Sequence, residues 1–311
     1  MKTKKLTRSS ISFFKDALAQ FRKDRVMKLS AALAYYTIFS LPALFLIVIS
    51  LSGLIFGEEA SAGVVFKQLN QLIGIKAAAE IQDGITKMHL SGKSYIGTII
   101  GGLTLVLSAG GIFREIQDSI NLIWGLQAKP RRGFIKLLIN RIISFSLVVS
   151  LGFILLVTLI INGVLEVLRL RLETYFPEMG VKLVFAVDYV LQVITITFLF
   201  AVIFKILPDA KIKWRDVIRG AFFTTILFMV GKVLITFLIS KNSVADAYGA
   251  AGSVLILLLW VYYSSVILYA GAEFTQVYAM RYGSRITPNK YAVWTEEEDE
   301  KNKSSNKSSI V

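Results

Sequence analysis

Six apolar runs, each long enough to cross a bilayer, constrain this chain more than anything else in it. They are Leu29–Phe56, Tyr95–Phe113, Ile142–Ile161, Leu183–Leu207, Val217–Ile239 and Val254–Ala279. A hydrocarbon core about 30 Å thick needs roughly 20 apolar residues in a helix, because only a helix satisfies every backbone group within its own segment. Six fully buried helices of this length would not fit one soluble domain, so the expected fold is all-α: a polytopic membrane protein with six transmembrane helices and amphipathic helices at the interfaces. Hydrophobic residues make up 55% of the 311, and the chain has no cysteine and one histidine, His89. Disulfide frameworks, thiolate metal sites and Ser–His triads are therefore outside its reach.

Charge gives the orientation. Of the 35 lysines and arginines, 26 fall in the segment before the first run, the second and fourth connections and the tail. Eight fall in the other connections, and Lys232 lies inside the fifth run. The positive-inside bias puts both termini in the cytoplasm. The net charge of +14 is read as this bias and as attraction to anionic lipid, not as a nucleic-acid footprint. The chain divides into a basic amphipathic arm (1–28), a membrane domain (29–280) and a disordered cytoplasmic tail (281–311) with an acidic run at Glu296–Glu300. Ile11, Phe14, Leu18 and Phe21 recur at helical spacing in the arm, which is expected to lie on the inner leaflet. Residues 57–94 form a long extracytoplasmic loop with helical periodicity. No cleavable signal peptide is expected, since about 28 residues precede the first apolar run.

Ionisable and kink-forming groups inside the runs are the candidate functional residues. Asp188 and Lys232 fall at similar depth, roughly 8 and 10 Å from the outer ends of their helices at 1.5 Å per residue. They are a candidate pair. Glu273 lies near the inner boundary, within expected reach of cytoplasmic arginines, Lys28 or Lys205. Pro42, following Tyr35 and Tyr36, is expected to kink the first helix. Gln192, Trp260 and Tyr262 complete the set of candidates for a substrate or ion path. Gly97 and Gly101, four apart in the second run, allow close helix packing; a homo-oligomer is the other use of such a face.

Several of these residues occur in a familiar arrangement. Ala31-Ala32-Leu33-Ala34-Tyr35-Tyr36 with Ser40-Leu41-Pro42 resembles the first-span signature of the YihY/BrkB family of membrane proteins. Asn121-Leu122-Ile123-Trp124, Leu207-Pro208-Asp209 with Trp214 and Gly220-Ala221, Tyr248-Gly249-Ala250-Ala251-Gly252, Trp260-Val261-Tyr262 and Gly271-Ala272-Glu273 are similar as well. The resemblance covers about residues 10–285. It implies a bacterial inner-membrane protein with six spans and brings no catalytic residue set. The family once carried a ribonuclease label, and some members are linked to serum resistance.

That label does not suit this chain's chemistry. RNA cleavage generally needs paired acid and base groups or carboxylate-held metal. Here the only histidine is extracytoplasmic, and the cytoplasmic acids show no metal-ligand spacing. The expected function is a transporter or flippase for a lipid-like or small amphiphilic solute, or an ion, with membrane lipid as partner and no cofactor, metal or nucleic acid. A non-transporting scaffold of envelope machinery is the alternative. A lipid-modifying enzyme is the third reading, and it lacks an acid/base set at one depth.

Overall fold

The computed structural model describes residues 2–39, 63, 66, 79, 82–83, 111–128, 177–241, 251–290 and 292–295. Six long helices run through them, and residues 63, 66, 79 and 82–83 are helical as well. The six are α1 (Lys2–Lys23), α2 (Val26–Phe39), α3 (111–123), α4 (Pro177–Ile206), α5 (Trp214–Lys241) and α6 (Ala251–Arg281). Three of them are long and apolar enough to cross a membrane, through Tyr189–Ile206, Trp214–Ile235 and Leu255–Arg281. These coincide with the last three expected spans. The third expected span, Pro42 and the acidic run lie outside the described residues, as does nearly all of the 57–94 loop.

Local chemistry sets the helix ends. Pro177 opens α4, where its missing N–H costs nothing. Pro208 follows the end of α4 and prevents continuation. Gly125, with φ 67°, closes α3 and returns its N–H to the Leu122 carbonyl. Between α1 and α2, Arg25 takes a left-handed turn with φ 52°. The first membrane-facing helix therefore restarts at Val26, three residues before the apolar run suggested.

α4 packs on α5, α5 on α6, and α1 on α6. Outward from this stack, α5 presents Trp214, Ile218, Phe222, Ile226, Val230, Val233 and Phe237, all exposed at three- and four-residue intervals. An exposed apolar stripe of this length suits lipid and not water. The α5–α6 contact is built on two reciprocal glycine–threonine pairs. A Cβ on Gly220 would come 2.8 Å from the Cβ of Thr275, and one on Gly271 would come 2.8 Å from that of Thr224. Both hydroxyls bond back along their own helices, Thr224 to the Gly220 carbonyl and Thr275 to that of Gly271. The threonines thus pack as small residues without leaving a polar orphan.

The structure departs from the all-α expectation at one end. Leu126–Ala128 (β1) pairs antiparallel with Ala292–Trp294 (β4), and Ala210–Lys211 (β2) pairs with Thr287–Pro288 (β3). Thr287–Pro288 and Ala292–Trp294, within the stretch expected as a tail from 281, supply the second strand of each pair. The reason is backbone demand: short connections leave N–H and C=O groups needing partners, and the tail supplies them.

Candidate functional site

The end closed by the strands is also where the motif residues gather. Asn121 on α3 donates its side-chain amide to Asp209 Oδ2 at 3.0 Å, and its amide oxygen accepts the Asp209 backbone N–H at 2.8 Å. Gln117, one turn earlier, reaches Asp209 Oδ1 at 3.4 Å. Trp124, fully buried, donates its indole N–H to the Ala272 carbonyl at 3.1 Å. Asp216, at the start of α5, accepts from the backbone and hydroxyl of Ser284 at 2.9 and 2.7 Å. Three motifs far apart in sequence are therefore one hydrogen-bonded unit: Asn121–Trp124, Leu207–Asp209 and Gly271–Glu273.

Beneath this lid one face of α6 is polar and dry. Tyr269, Glu273 and Gln276 follow each other at four and three residues, so they share a face. Their exposures are 0%, 1% and 8%. Gln276 Oε1 is buried without a hydrogen-bond partner; the Tyr269 hydroxyl and both Glu273 oxygens make no hydrogen bond within 3.5 Å, but Ser119 and Asp24 interact with them. The ionisable group interacting with Glu273 is Asp24, in the α1–α2 turn. Tyr269 lies beside Ser119 and within the field of Glu115 and Asp118 on α3. Burial, and next the Asp118 charge, push the Glu115 carboxyl above its ordinary range, while the Ser119 hydroxyl at 3.5 Å acts the other way.

Of the nine residues singled out in the sequence, only Glu273 enters this cluster. Its neighbour is a second acid. The expected arginine, Lys28 or Lys205 does not fill that place: Lys205 instead donates to the Ile212 carbonyl and lies over the Trp214 ring. Tyr35 and Tyr36 face outward, with Tyr35 61% exposed and stacked near Phe39. Trp260 is buried against Phe228, and Tyr262 donates its hydroxyl to Met27 Sδ at 3.3 Å, tying α6 to α2. Gln192 and Lys232 are half-buried on α4 and α5. Asp188 is on α4, but its side chain is outside the described residues.

The arm also differs from expectation in detail. Phe13 is buried, edge-on to Phe274 and near Tyr282, while Phe21 packs against the core. Asp16 pairs with Arg281 at 2.8 Å. Of the apolar residues the spacing selected, Leu18 is the one seen exposed. Sequence spacing found a helix but not which face meets protein. Tyr269 and Gln276 were legible as a polar stripe with Glu273 at helical spacing; Asp24 carried no local signal, since it is 249 residues away.

The donor set does not resemble a divalent-metal site. Among the described residues no group of three or more His, Cys, Asp or Glu side chains gathers.

Comparison with known proteins agrees with the membrane reading. The family described as Virulence factor BrkB matches residues 17–293. A UPF0761 membrane protein of Prosthecochloris aestuarii is 26% identical over 269 residues, which is 86% of this chain and 60% of that protein. A UPF0761 membrane protein of Vibrio cholerae is 28% identical over 279 residues, 88% of each chain. A Bacillus subtilis protein named as ribonuclease-like, YfkH, is 23% identical over 268 residues, 85% of this chain and 94% of its own. The chain thus spans well under two thirds of the Prosthecochloris relative and most of the other two. No solved structure matches.

Proposed function

We propose, for a chain that belongs to the Virulence factor BrkB family of integral membrane proteins, that its work is transport. On this reading it moves a lipid-like or small amphiphilic solute, or an ion, across a bacterial inner membrane through a bundle of six spans with both termini in the cytoplasm. One observation carries the proposal. Glu273 stands on a helix of membrane-spanning length, 1% exposed, with a second acid, Asp24, acting on it. An acidic side chain costs about 2.5–3.5 kcal/mol at the centre of a span on insertion scales, and part of that cost remains for one buried nearer the end. A purely structural helix would gain by losing it, so its presence points to a task. The third reading, a lipid-modifying enzyme, needs an acid and a base held together, and Glu273 faces another acid.

The test is reconstitution of the purified chain into liposomes, with lipid scrambling and ion flux measured against empty vesicles. Wild type should move at least one class of cargo, and Glu273→Gln should reduce it at least tenfold while remaining folded. A wild-type protein that moves neither refutes transport. The scaffold reading would then stand, and it has its own support in the strand-locked end, where parts of the arm, two connections and the tail bond to one another.

A further inference from the structure

We propose that the start of α5 holds the phosphate of an anionic diacyl phospholipid, with Arg215 and Arg219 as its ligands and the apolar stripe that follows them as the bed of its acyl chains. The site goes beyond the transport reading and does not rest on it: the lipid lies along the outward face of α5 and need not be moved.

The first ground is where the arginines stand. One edge of α5 meets α4, through Thr225 bonded to Thr197 at 3.0 Å. The other meets α6, through Gly220 against Thr275 and Phe223 stacked on Phe274. At 3.6 residues per turn, the sector between these edges carries Arg215, Ile218, Arg219, Phe222 and Ile226, and all of them are exposed. Arg215 and Arg219 are one turn apart, so their side chains are neighbours. From Phe222 to Val233 every exposed residue of α5 is apolar, over about 16 Å, close to one leaflet of a hydrocarbon core about 30 Å thick. Paired cations followed by an apolar strip of that length match a phospholipid, headgroup first and chains after.

The second ground is how the cations are held. Arg219 donates to the Tyr278 hydroxyl, and its guanidinium lies 5.4 Å from the centre of that ring. On the α4 edge, the Lys205 ammonium lies 5.7 Å from the centre of the Trp214 ring. Rings and a hydroxyl position these groups without neutralising them. The phenol takes one N–H of Arg219, and a guanidinium has several more, in a planar fork that matches two oxygens of a phosphate. Arg281, at the same end of the helices, shows the contrast: it is ion-paired with Asp16 at 2.8 Å. Among the described residues neither Arg215 nor Arg219 has a carboxylate within 4.0 Å.

The third ground is the sign of the charge. Asp216, the acid next to Arg215 in the chain, is buried away from this sector and accepts from the backbone and hydroxyl of Ser284 at 2.9 and 2.7 Å. Lys211 and Lys213, exposed just before α5, add positive charge at the same end. A zwitterionic headgroup would bring its own cation against this field, and an anionic one does not. Trp214, 48% exposed, suits the headgroup level, where one edge of an indole is wet and the rest is apolar. A second copy of the chain is the poorer occupant, because a two-fold contact through this face would set the same arginines against each other.

Binding is read without flux, so its failure is distinct from failure of transport. Trp214 is the reporter, since it stands at the site while Trp124 and Trp260 are buried. The full chain is reconstituted into phosphatidylcholine vesicles containing a minor share of brominated phosphatidylglycerol, or the same share of brominated phosphatidylcholine. Tryptophan quenching then gives the relative affinity for the two lipids, and Trp214→Phe identifies the signal from the site. Phosphatidylglycerol should be preferred, and Arg215→Gln and Arg219→Gln should each lower the preference about fivefold, the worth of one basic residue beside anionic lipid. Lys290→Gln removes the same charge from an exposed position outside the sector and should leave the preference unchanged. An equal loss in Lys290→Gln would mean diffuse attraction and overturns the proposal, as does equal quenching of the wild type by both lipids. Displacement of the brominated phosphatidylglycerol by soluble glycerol phosphate would mean an anion site without a lipid. Absence of Trp214 quenching by either lipid would mean that protein, a second copy included, covers the stripe; either result overturns it too. Should Arg219→Gln not fold, an unchanged preference in Arg215→Gln, which breaks no ion pair, is sufficient to reject it.

Discussion

Gly220→Ala probes the α5–α6 contact most directly. The new methyl would overlap the Thr275 hydroxyl and lie 2.8 Å from its Cβ and 3.0 Å from its Cγ2. Unstrained Cβ contacts begin near 3.4 Å, so the helices must part by several tenths of an ångström or more. Rotating Thr275 is no escape. It is fully buried, and its hydroxyl donates to the Gly271 carbonyl at 2.6 Å, a bond worth roughly 1 kcal/mol. Overpacking of this kind costs about 1–3 kcal/mol, and the upper part of that range is expected here. The assay is SDS-driven unfolding in mixed micelles, followed by tryptophan fluorescence. Gly63→Ala is the control, because a Cβ there meets nothing within 4 Å. Thr275→Gly in the Gly220→Ala background removes all three of these close contacts and should restore part of the loss, giving a coupling energy of opposite sign to the single effects. A wild-type midpoint for Gly220→Ala, or strict additivity in the double variant, would refute the close-packing argument.

Four further outcomes follow from other sites. Asn121→Ala should destabilise by about 1.5–3 kcal/mol, as loss of a bond to a charged group, and Asn121→Asp by more, since it sets carboxylate against Asp209; equal midpoints for the two variants in the same SDS assay would contradict the pairing. Glu115 is held above its ordinary range by burial and Asp118, so its contribution to stability is full below the ordinary carboxylate pKa and is lost as pH rises through the folded value. Glu115→Gln should therefore stabilise near neutral pH and not at pH 4, as followed by thermal midpoints across that range. Reporter fusions at Ser304 should be active only with a cytoplasmic reporter; strong activity of a periplasmic one would end the six-span topology. If Asp188 and Lys232 pair, their alanine double variant should unfold more readily than wild type by less than the sum of the two single losses, and additive losses would reject the pair.

Hydropathy made the long helices legible and little else. The run Leu183–Leu207 became the helix Pro177–Ile206, and Val217–Ile239 became Trp214–Lys241, because twenty consecutive apolar residues allow one solution in a bilayer. The added residues, 177–182 before the first and 214–216 and 240–241 around the second, mix polar and apolar side chains, and no hydropathy pattern extends a helix through them. The strands were illegible for a different reason. Two- and three-residue segments such as Ala210–Lys211 are too short for any periodicity, and their partners lie about 75 to 165 residues away. The same applies to the site. Glu273 was visible as a charge in a span, but its neighbour was not, since the field around a buried carboxyl depends on how a turn at Arg25 swings Asp24 across the bundle.

The strand-locked end also bears on topology. Charge counting assigned the arm, the second and fourth connections and the tail to one side of the membrane. In the folded chain these are the segments that bond to one another: β1 of the second connection to β4 of the tail, β2 of the fourth to β3, and Asp16 of the arm to Arg281. Segments can meet in this way only if an even number of crossings separates them. Two expected spans lie between the second and fourth connections, and two between the fourth and the tail. A third run that failed to cross would place Leu126–Ala128 and Ala210–Lys211 on opposite sides, where β1–β4 and β2–β3 could not both form. Electrostatic bias and backbone pairing are independent constraints, and they support the same parity. Glu273 lies eight residues before Arg281, about 12 Å along the helix from this face.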